Sequence, residues 1–510
     1  MLRRLSALPI DRSDCRALFS GLLLAFSFPR PDLAVLAWCG LVPLLTDEER
    51  RSFRSGFLAG VGFFGLVLYW LNIVMTTYGR LHPILSLAAY LMLVTYLALF
   101  FAAAIWAADR CRLRLGLPIT LTLPVFWVAL EFLRSFLLTG FPWATLGYSQ
   151  QSFLLLLQSA DLVGPYGLSF LLILSNATLA ALLRCRKPRS ATAFPRIALT
   201  VCLLLFVGGL GYGTLRLTES VDKRDQTLNT LLVQGNLDQS IKWDPAYQQQ
   251  TVDIYRHLSL TAAAGSPELI LWPESATPFF FQEGGPLAAA VREVPRRSGA
   301  YLLFGSPAFE VANGHHRYLN SAFLLDPDGQ VLGRSDKVHL VPFGEYVPLG
   351  RYLPFIDKLV VGIGDFAPGS LQPLSLNGRR LGVLVCYESI FPELARGQVR
   401  LGTDLLINIT NDAWFGRSSA PYQHLAMARF RAVENRVWLA RAANTGISAL
   451  IAPSGRIVDQ TALFERSSLQ GQVGLGARPG FYTRHGDLLP SLMLLLCGWW
   501  LWRSRKAPPP

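Results

Sequence analysis

Long apolar runs, separated by short basic or aromatic loops, fill the chain up to about Leu215, and one more closes it. Ala17–Pro29 and Leu33–Leu45 come first, split by Arg30-Pro31-Asp32. Each is short for a bilayer, which takes about 20 residues of helix, so they read either as two spans with polar ends or as a re-entrant hairpin. Phe57–Thr77, Ile84–Ala108, Leu117–Leu138, about Pro165–Leu183 and Ile197–Leu215 follow, and Leu488–Trp502 ends the series. With the first two runs counted, the pattern predicts eight spans. The start, Met1-Leu2-Arg3-Arg4, has the basic head of a signal sequence but no small-residue cleavage site after it, so it is read as retained.

Between the last two spans the texture changes to short apolar runs alternating with polar helical stretches. Leu228–Gln234, Leu269–Trp272, Tyr301–Gly305, Ser321–Leu325, Leu381–Val385, Leu405–Ile409 and Ser448–Ile451 read as strands, and Tyr422–Val437 as a helix lying over a sheet. A segment of this size and alternation predicts one layered α/β domain. The expected organisation is a bundle over 1–221 with seven spans, an α/β domain over 222–480, and a final span with its tail over 481–510.

Charge gives the bundle a direction. The net charge of +13 could point to nucleic acid, but no nucleic-acid module is present and the cations sit in short loops between spans. Arg3, Arg4, Arg12 and Arg16 precede the first run; Arg50, Arg51 and Arg54 follow the second; Arg110, Arg112 and Arg114 follow the fourth. Arg184, Arg186, Lys187, Arg189 and Arg196 follow the sixth, and Arg503, Arg505 and Lys506 end the chain. The alternate short loops hold only Arg30 and Arg80. By the positive-inside rule both termini are expected in the cytoplasm and the α/β domain on the opposite side. Glu131 and Arg134, one helical turn apart, read as an ion pair near the outer end of a span, partly wetted. The loop from Gly140 to Gln151, with Trp143 and Tyr148, reads as an interfacial aromatic anchor.

Candidate chemistry gathers at strand ends. Arg380-Leu-Gly-Val-Leu-Val-Cys386-Tyr387-Glu388 runs a buried strand into a cysteine and then into a turn. Buried cysteines are mostly inert, so the company of this one matters. It is the only cysteine between Cys202 and Cys497, which leaves it no disulfide partner in its domain. Glu274, in Leu271-Trp-Pro-Glu274, and Lys337, in Asp336-Lys337-Val-His339, also stand at strand ends. A cation lowers the cost of a thiolate and a carboxylate can take the thiol proton. His339 invites a Cys–His reading but is taken as structural. Trp243, in Ile241-Lys-Trp243-Asp244, is by residue type a packing residue.

These motifs resemble the carbon–nitrogen hydrolase (nitrilase) superfamily at Leu-Trp-Pro-Glu274, Asp-Lys337-Val-His-Leu-Val-Pro-Phe-Gly-Glu345 and Val-Cys386-Tyr387-Glu388. The whole chain, with Phe-Gly-Glu345-Tyr-Val-Pro and Asn411-Asp-Ala-Trp-Phe-Gly416, is similar to the branch of that superfamily that N-acylates apolipoproteins in the Gram-negative inner membrane. The resemblance implies an α/β fold: a four-layer αββα sandwich inserted before the last helix of an eight-helix membrane bundle. It implies catalytic Glu274, Lys337 and Cys386, with supporting roles for Glu345, Tyr387, Glu388 and a substrate-side Trp243. The implied reaction moves the sn-1 acyl chain of a phospholipid, phosphatidylethanolamine by the family's habit, through a cysteine thioester. The acceptor is the α-amino group of a diacylglyceryl-cysteine on an apolipoprotein, and the site faces the periplasm. No cofactor, metal or nucleic acid is implied.

A membrane-anchored amidase with the same three residues is the alternative, and a transporter or receptor with a merely binding domain is a third reading. An intact Glu274, Lys337 and Cys386 set argues against the third. The long apolar insertion from Tyr346 to Gly364 suits a lid dipping into lipid, of little use to a hydrolase of small soluble amides, and so favours the acyltransferase.

Overall fold

The computed structural model describes residues 11–186, 194–219, 222–239, 242–312, 315–346 and 366–507. The expected lid lies outside the described residues, apart from Tyr346 at its start.

The helices of the bundle begin with α1 (Arg12–Phe26), α2 (Ser52–Val67) and α3 (Pro83–Leu115). α4 (Ile119–Arg134), α5 (Ala160–Cys185), α6 (Arg196–Thr218) and, after the insert, α11 (Leu488–Lys506) complete them. By length and composition three of these, α3, α5 and α6, could each cross a bilayer, and α2 with its continuation Leu71–Tyr78 makes a fourth. α1 has 15 residues and α4 has 16, short of the roughly 20 a bilayer takes, while α11 carries Arg503, Arg505 and Lys506 in its last turn. The run Leu33–Leu45 is not one helix but a 3-10 turn, Ala34–Trp38, followed by a single α-turn, Val42–Leu45.

The apolar run Phe57–Thr77, expected to be one span, bends by 56° between Val67 and Leu71. Trp70 sits at the bend, 3% exposed, with its ring 4.8 Å from Trp143 and 5.0 Å from Phe415. The second half then runs beneath the α/β domain, where Tyr78 meets Trp414 at 5.8 Å. Burying a large aromatic ring compensates for the hydrogen bonds a bent helix gives up.

Glu131 and Arg134 correct the sequence reading. Both are buried, and no direct ion pair joins them. Arg134 donates to the carbonyls of Phe141 and Trp143 at 2.9 and 2.6 Å, and Glu131 accepts from Leu146 N–H at 2.8 Å and Trp127 Nε1 at 3.0 Å. The charges are spent on fixing the 140–148 loop, which packs Trp143 and Tyr148 inside rather than presenting them as an interfacial anchor. Trp143 and Tyr148 are 1% and 2% exposed. Trp143 Nε1 donates to Gln423 in the α/β domain at 2.7 Å.

That domain is built on two sheets. The first joins β1 (Thr227–Gln234), β2 (Leu269–Leu271), β3 (Tyr301–Ala312), β4 (His315–Leu325) and β5 (Val331–Asp336), with β12 (Ser467–Gly474) outside β1. The second joins β6 (Leu374–Leu376), β7 (Arg379–Val385), β8 (Leu405–Thr410), β9 (Leu439–Ala443), β10 (Ala449–Ile451) and β11 (Ile457–Gln460), in that order. Leu232, Leu271 and Leu303 of the first sheet meet Val383, Ile407 and Ala440 of the second in a shared core. α7 (Gln248–Ala262) and α8 (Gly285–Ser298) cover the outer face of the first sheet. α9 (Pro392–Arg400) and α10 (Ala420–Asn435) cover the second. The layers are therefore α, β, β, α. The α9 and α10 layer shares its core with the bundle, and Arg436 carries that contact inward through a 2.8 Å ion pair with Asp161 of α5.

Each strand read from the sequence is present. The antiparallel strands β3 and β4 run longer than expected, and β5, β6, β9, β11 and β12 were not foreseen.

Candidate active site

Four strands end in one place. β2 runs into Trp272-Pro273-Glu274, and β3 passes directly beneath: Gly305 N–H donates to Pro273 O at 3.1 Å. A Cβ on Gly305 would meet the Glu274 Cα at 2.6 Å, so only glycine lets the turn settle there. β5 runs into Lys337, whose N–H is held by Asn320 O of β4 at 2.8 Å. β7 ends at Cys386, where φ is +53°, a left-handed conformation unusual for a residue with a Cβ. Such strain persists only where the surroundings enforce it. β8 supplies Asn411.

The side chains converge as the sequence suggests. Lys337, 1% exposed, lies between two carboxylates, with Nζ 3.3 Å from Glu274 Oε1 and 2.9 Å from Glu345 Oε1. Glu274 also accepts from Asn320 Nδ2 at 2.8 Å and from Asn411 N–H at 3.1 Å, and its carboxylate faces the Cys386 thiol. Burial opposes charge on Glu274, but Lys337 and the hydrogen bonds from Asn320 and Cys386 prevail and hold its pKa down. Burial works against Lys337 too, and Glu345 and Glu274 together raise it. The Cys386 thiol is pushed well up, by burial first and then by the Glu274 charge, with Lys337 pulling the other way. At rest the set is a protonated thiol beside an ionised acid–base pair, the arrangement for moving one proton from sulfur to carboxylate.

Glu388 straps two of the strand ends together. Its Oε1 accepts from Val338 and His339 N–H at 2.6 and 3.0 Å, and its Oε2 from Val385 N–H at 2.6 Å. One buried carboxylate thus ties the residues after Lys337 to the residue before Cys386. Burial pushes Glu388 up to about 7, against the pull of its three amides. Glu345 closes its own turn in the same way, accepting from Val341 N–H at 2.8 Å. The Tyr387 N–H stands in the first turn of the 3-10 helix Cys386–Ile390, where amides lack helical acceptors. The Tyr387 ring packs on Phe391 at 5.2 Å. His339 stacks on Phe391 at 3.9 Å, and burial with the Lys337 charge lowers it to about 4, so it is a neutral packing ring. Trp243 is half-buried on the turn beside Glu274, outside the hydrogen-bond network of the described residues.

Sequence reasoning missed several members. Asn320 bridges Glu274 and Glu345 from mid-strand, a place where an asparagine has no sequence signature. Lys242, next to Trp243, donates to Glu274 O at 3.1 Å. Beneath Cys386, His424 Nε2 approaches the Cys386 carbonyl at 3.2 Å while its Nδ1 meets Asp412 at 3.0 Å. Arg441 clamps that Asp412 at 2.7 Å. Asp412 lay within a stretch that resemblance had marked, but His424 and Arg441 are distant in sequence and only the fold joins them.

Comparison with known proteins agrees with this architecture. The family model for the N-terminal domain of apolipoprotein N-acyltransferase matches residues 20–178, and that for carbon–nitrogen hydrolases matches residues 232–477. An apolipoprotein N-acyltransferase of Geobacter metallireducens is 49% identical, with 94% of this chain and 93% of the relative covered. That of Nitrosomonas europaea is 34% identical over the same shares, 94% and 93%. Among solved structures, a Nesterenkonia amidase of the nitrilase superfamily is 24% identical, covering 52% of this chain and 96% of its own at a TM-score of 0.38. The chain belongs to the apolipoprotein N-acyltransferase family and is an enzyme of the acyltransferase kind.

Proposed function

We propose that the chain moves the sn-1 acyl chain of a phospholipid, through a thioester on Cys386, to the α-amino group of a diacylglyceryl-cysteine at the N-terminus of an apolipoprotein. The observation that carries the reading is the closed set of Glu274, Lys337 and Cys386, buried at strand ends of a nitrilase-type sandwich whose outer helix layer shares its core with the membrane bundle.

Glu274 takes the thiol proton as sulfur attacks the ester carbonyl. Lys337 and the Tyr387 N–H receive the oxyanion. The carbon–oxygen bond breaks, the proton passes from Glu274 to the glycerol oxygen, and lysophospholipid leaves. A neutral amine then attacks the thioester, the carbon–sulfur bond breaks, and the amine proton returns to the thiolate through Glu274. Glu388 and Glu345 hold the strand ends in register for both steps, and Trp243 borders the substrate side.

The reading is tested with purified enzyme, a phospholipid radiolabelled in its sn-1 chain, and a diacylated lipopeptide bearing a free α-amine. Thin-layer separation should show label on the lipopeptide as an amide together with unlabelled lysophospholipid. Label released only as free fatty acid would point to a hydrolase.

The alternating basic loops support a bundle of eight spans in the bacterial inner membrane, with domains over 1–221, 222–480 and 481–510 and Cys386 in the periplasm. A fluorescent protein that matures only in the cytoplasm should be bright when fused after Arg503. An alkaline phosphatase active at that position would reverse the topology.

A further inference from the structure

Lys242 stands on the turn between β1 and α7 and is 1% exposed. A buried ammonium is costly unless it is paired, so its presence asks for a reason. Its Nζ has one hydrogen-bond acceptor among the described residues, the carbonyl of Glu274 at 3.1 Å, although an ammonium carries three donors. The charged and ionisable groups it faces are Glu274 and Cys386, with Lys337 and Glu345 beyond Glu274. Three residues that lead into the turn are pinned. Asn236 N–H is held by Asn444 O at 2.9 Å, Leu237 N–H by Asn444 Oδ1 at 3.0 Å, and Gln239 Oε1 by Asn411 Nδ2 at 2.5 Å. That Asn411 is the residue whose N–H binds Glu274 Oε2.

We propose that Lys242 is a second cation of the catalytic centre, a positioning residue that fixes the Glu274 turn through its carbonyl and balances the negative charge shared by Glu274 and Cys386. The inference rests on the reading of Cys386 as nucleophile and Glu274 as its base.

Charge counting shows why one lysine is not enough. Glu274 and Glu345 bring two negative charges and Lys337 returns one; Lys242 brings this set of four to neutrality, while beyond it Asp412 is paired with Arg441 and Glu388 is held by three backbone amides. Moving a proton from sulfur to Glu274 leaves that total unchanged, so the site stays neutral while the thiolate forms. Without Lys242 the buried site carries one uncompensated negative charge throughout. It would relieve this by holding a second proton on the Glu274 and Cys386 pair, on the Glu274 carboxylate as well as on the thiol, since the two titrate as a unit. The base would then be occupied at neutral pH, and a reactive thiolate would appear only at higher pH. Burial lowers Lys242 itself to about 8, so its charge is present at neutral pH and fades above that.

The test follows alkylation of Cys386 by iodoacetamide across pH, with peptide mapping, in wild type, Lys242→Met, Lys242→Gln and Lys242→Arg. Lys242→Gln keeps an N–H for the Glu274 carbonyl but not the charge. Both neutral variants should slow alkylation about tenfold at pH 7, and the difference from wild type should close above about pH 8, where the Lys242 charge itself fades. Lys242→Arg should return the rate toward wild type. Formation of the acyl-enzyme from phospholipid should slow in the same order. If the neutral variants alkylate at the wild-type rate at pH 7, whether or not transfer falls, the charge-balancing role is overturned and Lys242 only supports the turn. If wild-type Cys386 shows no pH-dependent alkylation, the nucleophile reading fails and this inference falls with it. Lys242→Gln is the less disruptive neutral variant and decides the matter should Lys242→Met not fold.

Discussion

Incubated with phospholipid alone, the protein should gain one fatty-acyl mass on the peptide that contains Cys386 and release one lysophospholipid. Adding a lipopeptide with a free α-amine should remove that mass and yield an amide, the two-step behaviour of a covalent catalyst. Cys386→Ala should abolish both steps, because no other cysteine of the described residues lies in the α/β domain to substitute. The loss should be total within detection, unlike that of a supporting residue, since sulfur forms the bond that defines the intermediate. Cys386→Ser is the finer probe. An alcohol is a far weaker acid than a thiol, so Glu274 should not deprotonate it to useful extent, and the serine enzyme should be acylated very slowly or not at all. Mass spectrometry of the intact protein reads each outcome. If Cys386→Ala still transferred acyl chains at the wild-type rate, the amine would be attacking phospholipid directly.

Much of this site could be read along the chain because its members stand at strand ends. A run such as Leu381–Val385 fixes where the strand stops, and the next residue must lie at the sheet edge. That logic located Cys386, Glu274 and Lys337, and their motif context supplied Glu345 and Glu388. It did not supply Lys242 or Asn320, whose roles come from the packing of β1, β4 and their loops on strands far away in sequence. The same limit applies to Glu131 and Arg134. Spacing brought them onto one helical turn, but whether they meet each other or the backbone of a folded loop is decided by tertiary structure. The strands missed, such as β9 in Leu439–Ala443 and β12 in Ser467–Gly474, contain arginine, glutamine or glycine where an apolar alternation would be expected. In β9 that departure has a structural cause, since the Arg441 side chain reaches out of the strand to clamp Asp412 beneath Cys386. The bend after Val67 was hidden for the opposite reason. Its residues are uniformly apolar, so hydropathy sees one span, while Trp70 and its aromatic partners determine where the helix breaks.

Lys337→Met should be the most damaging change short of losing the sulfur, and its two effects should separate by pH. Methionine keeps most of the alkyl packing and removes the ammonium. Loss of one oxyanion donor costs about 3–4 kcal/mol of barrier, so formation of the acyl-enzyme should fall by about 10²–10³-fold. Stability should fall as well, since removing one partner of a buried charge set leaves the other uncompensated, at about 3–5 kcal/mol. In the wild type, Glu274 has its pKa lowered by folding, so its contribution is present above its unfolded pKa and is lost as pH falls through the folded value. Lys337 has its pKa raised, so its contribution is present below its unfolded value and fades only as pH rises through the folded one. Without Lys337 the largest influence lowering Glu274 is gone and burial, which raises it, remains. A carboxyl with a raised pKa costs stability above its unfolded value and recovers it by taking up a proton as pH falls. The gap between wild type and Lys337→Met should therefore be widest at pH 7–8 and narrow toward pH 5. Thermal midpoints in detergent at one scan rate across that range measure it. A gap that stays constant with pH would mean that the two carboxylates do not depend on the lysine's charge.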